Sequence, residues 1–159
     1  MSYKVNDTAA NPALNALASA ISGGFMYLFA GTVPPGPDDA LDMVADHTEI
    51  VLVSVDGDGI TGLTFATAAS GAVAKPALAV WSGLATFDGT EAAELELTPT
   101  FFRICTAGDN GRGAGAAARL QGTIGITGSG SDMERANPVI EAGSTVPITT
   151  FEILVGSIG

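Results

Sequence analysis

The sequence predicts an all-β domain, a β-sandwich or jelly-roll-like fold with one short N-terminal helix. Two observations carry this. About eight short runs rich in Val, Ile, Thr and aromatics recur at fairly regular spacing, separated by Gly, Asp and Asn turn clusters. Only one stretch, 11–22, has the period of a helix.

In that stretch Leu14, Leu17, Ala18 and Ile21 fall on one face, Asn11 offers a cap and Pro12 stands at the first helical position. Gly23-Gly24 supplies the stop. So narrow a stripe on so short a helix needs a sheet or a neighbouring subunit to pack on. The apolar run "FMYLFAG" reads as a buried strand, and "TVPPGPDD" after it as an extended, rigid connection. "HTEIVLVSV" is a second strand, closed by "DGDG". "GITGLTFATA", with partial alternation of Ile60, Leu63 and Phe65, is a third. "KPALAVWSGLATFDG" is a fourth, bent or bulged at Gly83. "AAELELT" sets Leu95 and Leu97 against Glu94 and Glu96, the pattern of a half-buried antiparallel strand. "TFFRICTA", "ARLQGTIGIT" and the alternating "STVPITTFEILVG" complete the set, and Pro147 marks the last as an edge or a bulge. The chain divides into an N-terminal arm, 1–10, and a single β-sandwich domain, 11–159, that begins with helix 11–22.

Seventeen acids against six Lys and Arg give a formal net charge of −11. Such a surface repels phosphates, so neither nucleic acid nor an anionic membrane is an expected partner. Cys105 is the one cysteine, which excludes an internal disulfide and reads as a small buried hydrophobe. No secretory signal and no membrane-length apolar run is visible, so a soluble protein made in a cytoplasm is expected.

Chemistry is sparse. In "GRGAGAAARLQG", Gly113, Gly115 and Ala118 match the dinucleotide pattern G-x-G-x-x-[GA]. That turn must follow a strand and open a helix. Here "TAGDNGR" intervenes and a strand follows, so a hairpin tip turning at Asn110-Gly111, with a mobile small-residue loop, is the reading. Asp56 and Asp58 in "VDGDGI" fail the EF-hand spacing, leaving a plain hairpin turn or a weak surface cation. His47, beside Asp46 and Glu49, reads as a lone solvated histidine. Arg103 should pair with an acid across the sheet or reach the surface along its apolar stem. No catalytic residue, cofactor site or metal site is assigned, and no enzymatic activity is expected.

The ordered segments "NPALNALASAISGG", "AGTVPPGPDDAL", "TPTFFRIC", "LQGTIGITGSGSDM" and "IEAGSTVPITTFEI" carry a resemblance. Together they are similar to a group of small structural proteins of tailed bacteriophages, over about Asn11 to Ile153. The chain departs from that pattern where "FFRIC" replaces a Trp-containing strand, where "GDNGRGAGAAA" lengthens a hairpin, and where "DMERANPV" lacks an alternating Leu-Asn run. The resemblance implies a virion component and transfers no catalytic residues. The expected function is a capsid decoration or cement protein. It would be a homo-oligomer, a trimer by preference, bound in many copies to the major capsid protein or other virion proteins. The N-terminal arm and the Pro-rich loop 33–38 are its expected docking segments. A tail, neck, baseplate or fibre component is the alternative. A glycan- or receptor-binding β module is a second, and would need exposed aromatics drawn from Trp81 and the two tyrosines, with Trp81 expected in the core.

Overall fold

A computed structural model describes residues 6–154 of the chain. It contains one helix, α1 (Asp7–Ile21), and eleven strands. These are β1 (Phe25–Ala30), β2 (Thr48–Val55), β3 (Ala72–Ala74), β4 (Trp81–Gly89), β5 (Glu96–Leu97) and β6 (Phe101–Cys105). They continue as β7 (Arg119–Ile126), β8 (Met133–Arg135), β9 (Ile140–Glu141), β10 (Thr145–Ile148) and β11 (Glu152–Leu154). The chain is thus mostly β with one short helix. A seven-stranded sheet runs β10-β4-β2-β1-β6-β7-β8, and two ribbons, β11-β3 and β5-β9, stand beside it. Every pair in the large sheet is antiparallel except β7 with β8.

The helix starts earlier than 11. Asn6, not Asn11, is its cap, accepting from the Ala9 amide at 3.1 Å. Residues 7–10 of the expected arm are therefore helical, and 1–5 lie outside the described residues. Pro12 sits inside the helix. It has no N–H for the Thr8 carbonyl, and Thr8 is exposed, so water can serve that carbonyl instead. Asn11 and Asn15 fasten the helix to the segment before β3, their side chains accepting from Gly71 and Ala68 at 3.0 and 2.8 Å. The apolar stripe packs there as expected, with Leu14 and Ala18 against Ala68 and Val73.

The pleat gives the large sheet two apolar faces. Met26, Leu28, Val51, Val53, Phe102, Ile104 and Trp81 form the main core with Leu63 and Val146. Trp81 is buried between Phe65 and Phe151, its ring centroids 5.4 and 5.8 Å from theirs. The opposite face carries Tyr27, Phe29, Phe101 and Cys105 with Leu41.

Four strand expectations change. Residues 59–68 form no strand. They are tied instead to the end of α1, where Gly23 donates to the Leu63 carbonyl and Leu63 to that of Gly24, both at 2.8 Å. Gly62 makes this possible, since a Cβ there would lie 2.0 Å from the Gly23 oxygen. In "AAELELT" only Glu96–Leu97 pairs, and Leu95 is exposed, because residues 89–94 coil into consecutive turns. The bulge of β4 lies at Phe87 (φ 45°), where the register with β2 slips, and not at Gly83. The closing run breaks into β10, which bears Pro147 at the sheet edge as expected, and β11, which pairs with β3.

Cys105 is fully buried, and burial together with the nearby Asp109 charge pushes its thiol up to about 12. Native protein at pH 8 should therefore resist a thiol reagent that labels it stoichiometrically in denaturant; rapid native labelling would contradict this packing.

Candidate functional site

The second apolar face is roofed by two loops that meet over it, and these are the segments the sequence singles out. The first is the Pro-rich connection 31–47. Proline has no amide hydrogen, so a Pro-rich segment offers carbonyls and few donors. Guanidinium has the opposite inventory, donors only. The hairpin register of β6 and β7 sets Arg103 opposite Gln121 and Cys105 opposite Arg119, so Arg103, Gln121 and Arg119 share the roofed face. They take hold of the loop in turn. Gln121 Nε2 donates to Pro34 O (2.9 Å), Arg103 to Gly36 O (3.0 Å) and Asp39 O (2.9 Å), and Arg119 to Pro37 O (3.1 Å).

Arg103 neither pairs with an acid nor reaches the surface. It is fully buried, bonded to Gln121 Oε1 at 2.9 Å and to three backbone carbonyls, the third being Gly111 O. Burial, and then the neighbouring Arg119 charge, lower its pKa.

The second loop, 106–118, contains the Gly-rich stretch. It is no nucleotide turn, because the strands flanking it are antiparallel and no helix follows. Nor does it stand free as a hairpin tip. Arg112 accepts Leu41 N on its carbonyl (2.7 Å), and its guanidinium meets Glu49 (2.8 Å) and Asp88 (2.6 Å). Gly113 O accepts from Arg119, and Gly115 N donates to Asp38 O. Gly111 (φ 69°) turns the chain directly over Cys105, where a Cβ would lie 2.7 Å from Sγ.

Arg119 also grips Asp109, at 2.5 and 2.8 Å, and both side chains are mostly buried. This pair holds the Asp109 carboxyl below its usual range. A lowered folded-state pKa gives stability that is complete above the unfolded value of about 3.9 and is lost as pH falls through the folded value. Asp109→Asn should cost about 2–3 kcal/mol at neutral pH. The gap between variant and parent should close below about pH 4. A gap unchanged down to pH 2.5, by denaturant titration, would assign the loss to shape and not to charge.

His47 is not solvated. It is buried edge-on to Phe101, accepts the Asp42 amide on Nδ1 (3.0 Å), and so carries its proton on Nε2, which donates to Thr32 O (2.9 Å). It closes the Pro-rich loop on itself. Asp58 turns both carboxylate oxygens into its own loop, accepting from the Ile60 and Thr61 amides and the Thr61 hydroxyl. It acts as a turn cap beside Asp56 (φ 56°), and no cluster of three His, Cys, Asp or Glu suited to a metal occurs among the described residues. Trp81 and Tyr27 are buried, and Tyr3 lies outside the described residues. No helix among the described residues is long and apolar enough to cross a membrane.

What this face can do is present a fixed surface. The loops hold Val33 and Pro35 outward on a backbone fastened at six carbonyls by two arginines and a glutamine. The sequence marks both loops. It does not mark the tie between them, whose available signal is a lone Arg centred in an apolar strand beside an all-acceptor loop. No family model matches the chain, and no curated protein or solved structure is significantly similar to it.

Proposed function

We propose that the protein is a structural component of a tailed-phage virion, a capsid decoration protein that binds the head in many copies as a homo-oligomer. The observation that carries this reading is the roofed face. The Pro-rich segment at the centre of the phage resemblance is held as a preformed surface, so docking on a capsid subunit would require little loop ordering. Charge supports it. Three of the six bases, Arg103, Arg112 and Arg119, are engaged within the fold, which leaves an acid-rich exterior suited to crowded display and ill suited to nucleic acid. The large sheet, with α1 and the ribbons as its second layer, is read as a variant β-sandwich. Burial of Trp81 and Tyr27 counts against the glycan-binding alternative.

The test is the copy number of the chain in purified virions, by quantitative mass spectrometry against the major capsid protein. A simple near-stoichiometric ratio is expected. A ring- or spike-sized number would move the protein to the tail or neck, and absence from the particle would end the virion reading.

A further inference from the structure

A groove separates the large sheet from the β11-β3 ribbon, and among the described residues its walls carry unpaired strand backbone: β7 ahead of Ile124, where its pairing with β8 begins, the outer edge of β8, and the edge of β11 away from β3. In β7, the Ile124 amide bonds to Thr100 O across the ladder with β6, while the Thr123 amide turns the other way, to Asp132. Antiparallel alternation then points the N–H and C=O of Gln121 away from β6. In β11, Phe151 O accepts from Lys75, so Ile153 faces β3 and Glu152 turns its backbone groups outward. In β8, Arg135 O accepts from Thr127, which leaves Glu134 facing out. Gln121, Asp132, Glu152 and Leu154 line one cavity of about 280 Å³, floored by Phe102 and Phe151, whose rings meet at 5.9 Å. A second cavity, of about 700 Å³, shares Asp132, Phe151 and Glu152 and continues past Glu134.

Such edges are normally blocked by charge, proline or cover. Here the walls carry acids of one sign. Asp132, Glu134 and Glu152 line the larger cavity and Lys75 is the one base among its lining residues. Hydrogen bonds hold both the Asp132 and Glu134 carboxyls below the ordinary range, Asp132 through the amide and hydroxyl of Thr123 in β7 and Glu134 through the Gly128 and Gly130 amides. A free edge with an apolar floor accepts an extended strand, and the wall charge selects a cationic one.

We infer that this groove is a strand-acceptor site for an extended, lysine-bearing segment of a partner protein, which pairs with the free edge of β11 and with β7 at Gln121, ahead of its pairing with β8. Alternate side chains of that segment would rest on Phe102 and Phe151, and its lysines would face Glu134 and Glu152. The site stands whether or not the chain is a virion component.

The probe is a labelled, end-capped peptide of alternating Lys and Val, titrated by fluorescence anisotropy at low salt, with amide hydrogen exchange read by NMR. Saturable binding is expected, with slowed exchange at Gln121, Glu134 and Glu152. A peptide of the same charge, N-methylated at alternate residues, should bind about tenfold more weakly, because it keeps the lysines and loses backbone donors. Glu152→Lys, at an exposed side chain, should weaken the parent peptide by about fivefold or more with the fold unchanged by circular dichroism. Equal affinity for the methylated peptide would reduce the effect to charge attraction and overturn the site. So would no binding, or no slowed exchange at those three amides. Slowed exchange that grows with protein concentration and needs no peptide would give the groove to a second copy of this chain.

Discussion

Arg103→Met should destabilise the protein by about 4 kcal/mol, near the upper end of what single substitutions do. The sign needs argument, because replacing a buried charge by a hydrophobe of similar size is often neutral when its partner is replaced too. Here three of the four partners cannot be replaced. Gly36, Asp39 and Gly111 present main-chain carbonyls, which persist whatever stands at 103. Gln121 would also lose its acceptor bond from Arg103 Nε. Each buried acceptor left unpaired costs about 1–3 kcal/mol. Methionine fills most of the volume, so little of the loss is a cavity. The chain has one escape, to lift both loops into water, and Cys105 reports it. Gly111 lies on that thiol, so a loop that lifts exposes it. Denaturant unfolding and thiol labelling together read the two routes. Arg103→Lys keeps the charge and loses the planar fork that reaches two loops at once, so it should fall between parent and Arg103→Met. A loss under about 1 kcal/mol with Cys105 still shielded would mean that the loops are held without Arg103, by Arg112, Arg119, Gln121 and His47.

The parts of the fold legible in the sequence are those set by local pattern. The buried run 25–30, the apolar run of β2 and the Pro147 edge follow from local apolar composition and from one missing amide. Misreadings cluster where a long-range contact outranks a local preference. Asn11 has the chemistry of a cap, but its side chain is engaged by Gly71, sixty positions on, while Asn6 does the capping. Residues 60–66 have half the alternation of a strand and are captured by the end of α1. The roofed face was visible in its components only. An apolar strand with a central Arg, a Pro-rich loop and a Gly-rich loop are each explicable alone, and their union depends on the β6-β7 register, which no local pattern encodes. His47 is the same case, since both its ring nitrogens are satisfied by backbone that the loop brings to it.

Gly83→Ala should cost about 3 kcal/mol or more, although the glycine sits in an ordinary strand conformation and the substitution adds one methyl group. The expected kink at this position is absent, and what requires glycine is the approach of β2. A Cβ at 83 would stand 2.0 Å from the Leu52 oxygen and 2.7 Å from Val51 Cγ2. Backbone cannot move aside as a flexible side chain can. β4 is held on its other edge by β10, so relief means stretching the β2-β4 ladder next to Trp81 or pushing Val51 out of its place in the core. Two other glycines separate this effect from the general consequences of adding a methyl. Gly59 has open space and φ 69°, so Gly59→Ala carries conformational strain alone, about 1 kcal/mol. Gly113 has open space and no such φ, so Gly113→Ala should be neutral or stabilising by about 0.4–1 kcal/mol through the unfolded chain. That position is also the first glycine of the dinucleotide-like stretch, where a phosphate cradle would not tolerate the change. The expected order of unfolding midpoints is therefore Gly113→Ala at or above the parent, then Gly59→Ala, then Gly83→Ala well below. If Gly83→Ala matched Gly59→Ala, β2 and β4 would have to lie further apart than they do here, and the core beneath Trp81 would be looser than its burial implies.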